Sequence, residues 1–142
     1  KLFQMHCQRC HGLEGEGKLQ LDNKAYIYPP LWGQNAYQPG SSMHRIIKQA
    51  QWLKANMPFD KATWDKPFLT DEEALDIAAF VNDDNIHPRP DVKNFDYPHY
   101  EEKAIDYDRG PFVDSFTATQ HKFGPYQPII AFWKTNGLNP VY

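Results

Sequence analysis

The most constraining feature of the sequence is the stretch Cys7-Gln8-Arg9-Cys10-His11, which contains both cysteines of the 142-residue chain. In a helix the two thiols would lie about one turn apart. A disulfide at this spacing would close a very small loop and add little stability. A zinc site would need four ligands, usually from a second Cys or His pair, and no further cysteine exists.

Two other interpretations of this motif differ in the local structure that they require. A thioredoxin-like redox pair follows a strand, whereas residues 2–6 have the pattern of an amphipathic helical turn. Covalent haem attachment suits a helix, because two thiols one turn apart reach the two vinyl groups of a porphyrin. The histidine that follows is then placed under the iron as an axial ligand. The motif therefore favours one covalent haem c, anchored by Cys7 and Cys10 and ligated by His11.

A second axial ligand must come from further along the chain. Met57 follows the end of a predicted helix and precedes Pro58, so an irregular loop presents its side chain. A methionine in a loop can approach the iron, while one in a helix, such as Met43, is usually spent on core packing. We therefore predict Met57 as the distal ligand. The competing candidates are Lys54, His44 and His6.

The region between the haem motif and residue 40 reads as an extended loop with a Pro-Pro pair at its centre. A carbonyl of Pro29 or Pro30 is a candidate to accept the Nδ1 proton of His11 and to fix its tautomer. The alternative is that the pair forms a rigid turn and nothing more.

Two further helices are expected after this loop. Ser42 is predicted to cap a helix that runs to about Ala55, and Thr70 with Glu73 forms a capping box for a helix from Asp71 to about Asn82. The apolar stripes expected for these helices are Met43, Ile46, Ile47, Ala50 and Leu53, and Leu75, Ile77, Ala78 and Val81. With the N-terminal helix they give an all-α fold, in which long irregular loops complete the surround of a flat prosthetic group.

The chain changes character after residue 86. Eleven aromatic residues lie between Phe95 and Tyr142, with little helical periodicity and too many apolar groups for a disordered tail. We expect a haem domain over residues 1–86 and an irregular, aromatic and proline-rich extension over residues 87–142 that wraps the same domain. The alternative is a recognition arm that docks on a neighbouring subunit or partner.

Taken together, these motifs resemble a class I c-type cytochrome domain. The closest resemblance is to the C-terminal haem domain of the thiosulfate dehydrogenase (tetrathionate-forming) family. The matching segments are the haem motif, residues 28–33, 56–58, 69–74 and 76–81, the exit segment 88–90, and the tail segments 110–112 and 120–125. The resemblance implies that Cys7 and Cys10 anchor the haem and that His11 and Met57 ligate its iron. We expect Pro30, Leu31 and Trp32, from the narrower Pro-Pro-Leu-Trp-Gly motif, to contact the haem as well.

One departure from that family bears on activity. Members that oxidise thiosulfate resemble two fused cytochrome units, and the catalytic haem of the first unit has a cysteine ligand. Both cysteines of this chain are used by its single attachment motif. We therefore expect an electron carrier or electron-transfer domain rather than an enzyme acting alone. The alternative is a haem subunit or domain of a thiosulfate dehydrogenase or tetrathionate reductase-type enzyme.

Charge and hydropathy narrow the partners and the compartment. The net charge of −3 offers no basic field for nucleic acid, and the longest apolar run, residues 129–133, is too short to span a membrane. Because c-type haem is attached outside the cytoplasm, we expect a periplasmic protein whose targeting segment has been removed. Redox proteins are the expected electron donor and acceptor, and they are expected to dock near the attachment cysteines. The acidic charge of this chain favours a partner that has a basic patch. A sulfur-oxidising enzyme or a second haem domain is the more specific alternative.

Overall fold

The computed structural model describes residues 1–90 and 99–142, and within these ranges it is predominantly helical. The α-helices are α1 (Leu2–His6), α2 (Gln8–His11), α3 (Ile46–Asn56), α4 (Asp71–Val81), α5 (Ala118–Phe123) and α6 (Gln127–Thr135). Short 3-10 turns occupy Ser42–His44 and Tyr100–Glu102. Strands β1 (Lys18–Leu19) and β2 (Tyr26–Tyr28) pair in antiparallel fashion within the region expected to be a loop. The predicted all-α class is confirmed, with this small hairpin added.

The N-terminal helix is interrupted at the first cysteine. Cys7 ends α1 and begins α2 with φ −113° and ψ −38°, where a single helix had been predicted. The carbonyl of Cys7 accepts hydrogen bonds from the backbone N–H groups of Cys10 at 3.1 Å and His11 at 3.0 Å. The two thiols and the histidine therefore share one hydrogen-bonded turn.

Helix α3 begins later than its sequence pattern predicts. Ser42 does not cap it; instead Ser41 accepts a hydrogen bond from Met43 N at 3.2 Å and caps the preceding 3-10 turn. Arg45 then adopts an extended conformation, and the α-helix begins at Ile46. The buried residues of α3 are Ile46, Gln49, Ala50 and Leu53. This face thus includes a buried glutamine and leaves out Met43 and Ile47.

Helix α4 has the predicted capping box. Thr70 Oγ1 accepts from Glu73 N at 3.2 Å, and Glu73 Oε2 accepts from Thr70 N at 3.0 Å. The buried residues are Ala74, Ile77, Ala78 and Val81, which follow the i, i+3, i+4, i+7 spacing of one helical face. Leu75, expected in the stripe, lies one position off it and is 39% exposed. This face packs with α3 and with Phe3 of α1 to form the first core.

The C-terminal part is not irregular throughout. The prediction is wrong for α5 and α6, two short helices with little room for a helical period. Thr117 caps α5 by accepting from Gln120 N at 3.1 Å. A second core is centred on Ile105, Ile129 and Trp133. Phe95 and Tyr97, counted among the C-terminal rings, lie outside the described residues.

Buried ionic contacts join the C-terminal part to the start of α3. Asp106 accepts from Arg45 Nε at 2.8 Å and from Ile47 N at 2.9 Å, and its side chain is fully buried. Lys122 Nζ lies 3.1 Å from Asp108 Oδ2 and 2.9 Å from Nε2 of His44. No helix in the described ranges is both long and apolar enough to cross a membrane.

Candidate haem site

A cavity of about 770 Å³ lies inside the first helical core, and its wall carries the haem motif. Cys7, Cys10, His11 and Met57 all line it. Most of the remaining wall is apolar, as expected of a site that buries a large flat ligand. The structure thus brings together four residues that are up to 50 positions apart in the sequence.

His11 is oriented by a backbone carbonyl. Its Nδ1 lies 2.8 Å from the carbonyl oxygen of Pro29, and because a carbonyl can only accept, Nδ1 carries the proton. Nε2 is then the nitrogen with a free lone pair, the form that a metal-binding imidazole requires. The acceptor predicted from the Pro-Pro pair is therefore present, and it belongs to Pro29.

Cys7 has the properties of an unactivated thiol. Burial raises the pKa of Cys7 to about 11, and the neighbouring Cys10 adds to this effect. Redox-active and zinc-binding cysteines have lowered pKa values, because the thiolate is the reactive form. The environment of Cys7 therefore does not resemble that of a thioredoxin-like pair.

The Pro-Pro-Leu-Trp segment divides between the cavity and the core. Pro30 and Leu31 line the cavity, whereas Trp32 is not part of its wall. The Trp32 ring is stacked on His87 at 3.8 Å between centroids and lies 5.1 Å from Phe3. Trp32 therefore supports the core behind the cavity rather than facing its interior.

The candidates for the distal ligand differ in whether they line the cavity. Met57 ends α3 in an extended conformation and lines the cavity. Lys54 donates to Asp71 and does not line it. His44 is also absent from the wall and is hydrogen-bonded to Asp84 at 2.9 Å.

Two other residues of the cavity wall carry atoms that can ligate iron. His6 lines the cavity, and its buried Nδ1 has no hydrogen-bond partner in the described part of the chain. Met43, expected to be a packing residue, also lines the cavity. Besides the predicted ligands, the cavity wall therefore includes a second histidine and a second methionine.

A buried polar network, which the sequence does not reveal, borders the same cavity. Tyr37 and Gln49 line the wall, and Tyr37 Oη accepts from Gln49 Nε2 at 2.8 Å and from Arg89 Nη2 at 3.1 Å. Tyr37 Oη in turn donates to Asn82 Oδ1 at 2.8 Å. Burial raises the pKa of Tyr37 despite the opposing charge of Arg89, so this phenol stays protonated at neutral pH. The members are up to 52 positions apart, and no local pattern indicates that they meet in one network.

The mouth of the cavity is flanked by opposite charges. Arg9, between the two cysteines, donates to Asp60, and both residues line the cavity. The contact raises the pKa of Arg9 and lowers that of Asp60, since each charge stabilises the other.

Residues 99–142 take no part in the cavity wall. Among the described residues, all those that line the cavity fall between positions 6 and 81. Residues 99–142 contact the same domain at the start of α3, through Asp106 and Arg45. Four of their aromatic side chains belong to the second core: Phe116, Tyr126, Phe132 and Trp133.

The known proteins that this chain resembles include thiosulfate dehydrogenases. Over 89 residues the chain is 40% identical to thiosulfate dehydrogenase from Allochromatium vinosum, a match covering 63% of this chain and 30% of that protein. The match to the enzyme of Stutzerimonas stutzeri is 36% over 90 residues, covering 63% and 26%. A solved structure, thiosulfate dehydrogenase (TsdBA) from Marichromatium purpuratum in its as-isolated form, is similar with a TM-score of 0.57 and 40% identity. That likeness covers 78% of this chain and 21% of the other.

The chain spans less than a third of the length of these relatives. The family model for cytochrome c matches residues 1–83, and this range contains all the cavity-lining residues in the part of the chain that the structure describes. Membership implies one covalent haem c, which the spacing of Cys7, Cys10 and His11 suits. The chain belongs to the cytochrome c family.

Proposed function

We propose that this chain transfers single electrons through one haem c, with His11 and Met57 as axial ligands. The observation that carries the proposal is that both side chains line the same cavity as the two attachment cysteines. Ligation on both sides leaves no open position for a substrate, so outer-sphere electron transfer is the chemistry that such a site supports. A methionine ligand also gives a higher potential than a second histidine would.

Each residue of the site has a distinct part in this proposal. Cys7 and Cys10 form the thioether bonds, and the Pro29 carbonyl keeps Nε2 of His11 available for the iron. When bound, the haem supplies a reversible one-electron change at its iron. Apolar wall residues such as Leu53 exclude water and so favour the less charged, reduced state.

The carboxylates of the haem need polar neighbours. We assign this part to Tyr37 and Gln49, the buried polar residues on the wall. Arg89, whose side chain is fully buried behind them, supplies the compensating positive charge.

Exchange of electrons is expected where the attachment cysteines approach the mouth of the cavity. We propose redox proteins of the periplasm as donor and acceptor. The haem carboxylates add to the net charge of −3, which favours a partner with a basic patch. We further propose that residues 1–86 are the haem-binding unit and 87–142 an extension, supported by the confinement of the wall to positions 6–81.

The ligand assignment is tested by two matched methionine variants. Met57→Ala should abolish the methionine-to-iron charge-transfer band of the ferric protein, because its sulfur is the proposed ligand. Met43→Ala, which alters the other methionine on the wall, should keep the band. Loss of the band in Met43→Ala and its survival in Met57→Ala would assign the ligand to Met43. Denatured protein that loses its haem colour and mass would contradict covalent attachment.

A second candidate function follows from the names of the relatives. We propose as an alternative that the chain is the electron-accepting haem unit of a thiosulfate dehydrogenase-type enzyme, supported by its identity to thiosulfate dehydrogenases. Purified chain can be assayed for thiosulfate-dependent haem reduction and tetrathionate formation. Turnover by this chain alone would overturn the carrier assignment, whereas reduction that requires an added haem unit would support the alternative.

A further inference from the structure

One ion pair at the mouth of the cavity is not needed to hold the haem. Arg9 Nη2 donates to Oδ1 of Asp60, which lies three positions after Met57. The side chains are 52% and 51% exposed, although both line the cavity. The pair joins segments 51 positions apart, and so connects the attachment motif to the loop that carries the proposed distal ligand.

The loop is packed at its base, where Pro58 and Ala62 are buried, and exposed at its tip. Met57 N donates to Leu53 O at 2.8 Å, and Ala62 N donates to Pro58 O at 2.9 Å, so the turn is held by its own backbone. Phe59, at the tip, is 83% exposed and adds little packing. These bonds define the turn without fixing its distance from α2, which side-chain contacts must set.

Besides the packing of Met57 against the first core, two side-chain contacts join the loop to the N-terminal helices α1 and α2. Lys61 Nζ lies 4.8 Å from the ring centroid of Phe68, which meets the His6 ring edge-on at 5.2 Å. The other link is the Arg9–Asp60 pair, the direct contact between the tip and the attachment motif. An exposed ion pair is weak and is screened by salt, so it can hold a loop without locking it.

We propose that the Arg9–Asp60 pair is a clasp that keeps the Met57 loop against α2 and the sulfur in its ligating position. Arg9 and Asp60 are then positioning residues, and ionic strength regulates the distal ligation. The inference rests on the proposed function, because it takes Met57 as the ligand. Opening of the clasp exposes the distal position to small external ligands.

The test uses the ferric holoprotein and imidazole, which competes with Met57 for the iron. Asp60→Asn leaves the attachment motif unchanged and removes the charge of the partner of Arg9. It should bind imidazole roughly two- to fivefold more tightly at low salt, the range expected for an exposed ion pair. Raising NaCl to about 1 M should bring the parent protein to the affinity of the variant, whose own affinity should change little.

Two further variants separate the clasp from a general effect. Asp65→Asn removes a carboxylate nearby in the sequence for which the described residues show no ion pair, and it should leave imidazole affinity unchanged. The charge-reversed double variant Arg9→Asp with Asp60→Arg should return towards the parent value, because the attraction is restored.

Three outcomes would overturn the clasp. They are an unchanged imidazole affinity in Asp60→Asn, whether or not its melting temperature falls, an equal shift in Asp65→Asn, and a charge-reversed double variant that does not return towards the parent value. A parent protein that shows no methionine charge-transfer band would instead contradict the ligand of the proposed function, and the clasp would fall with it. Failure of the clasp alone is recognised by a normal band with an unchanged imidazole affinity.

Discussion

The position of His11, the proposed iron ligand, depends on close backbone packing at Gly17. Gly17 has φ +75°, and a Cβ built there would lie 2.5 Å from Tyr28 O and 2.6 Å from Pro30 N. Gly17 N also donates to the backbone carbonyl of His11 at 2.7 Å. Close packing of this backbone against the Pro-Pro segment therefore places the Pro29 carbonyl that orients the His11 ring.

Gly17→Ala should raise the reduction potential of the holoprotein. The added methyl group displaces the Pro-Pro segment and weakens the Nδ1 hydrogen bond of His11, so the imidazole donates less to the ferric iron. Gly33→Ala is the matched control: Gly33 has φ +83°, but its Cβ would meet nothing within 4 Å. Both variants should lose about 1–2 kcal/mol of stability from the positive φ. Equal potentials in the two variants, measured by spectroelectrochemistry, would contradict this role of Gly17.

At this scale the sequence predicted the residues that belong to a motif and missed those that meet only in the fold. The haem motif and the Pro-Pro acceptor could be identified because their chemistry requires a fixed order and spacing. Tyr37, Gln49 and Arg89 carry no such order, since a buried hydrogen-bond network constrains position in space and not along the chain.

Among the elements, α4 was predictable because its start signal is local. Thr70→Ala should lower the free energy of unfolding by about 1 kcal/mol, because the N–H of Glu73 loses its acceptor. Thr70→Ser keeps the hydroxyl and should stay close to the parent in urea denaturation. Equal losses in both variants would show that the methyl group, and not the cap, carries the stability.

The start of helix α3 was predicted incorrectly because the residue that caps it is distant in the sequence. The acceptor for Ile47 N is Asp106, 59 positions away, so the cap of this helix comes from tertiary structure. The local sequence contains a good capping residue, Ser42, but nothing in it indicates that Asp106 supplies the acceptor. The two C-terminal helices were missed because six and nine residues show too little periodicity.

For the molecule as a whole, Asp106 is the residue that most directly links the two cores. Asp106→Ala should cost roughly 3 kcal/mol, because Arg45 is left as a largely buried charge without its partner. Hydrogen exchange should become faster in α5 and α6, while the methionine charge-transfer band should persist, since residues 99–142 do not line the cavity. Loss of the band under conditions where α3 and α4 remain protected would contradict this separation.

The confinement of the cavity wall to positions 6–81 has a consequence for how such a domain can diversify. The residues at positions 6–81 would set the reduction potential of the haem. A different part of the chain, residues 99–142, can set the contacts of the domain with its partners. Evolution could therefore replace residues 99–142, and so change what the domain binds, without altering the reduction potential of the haem.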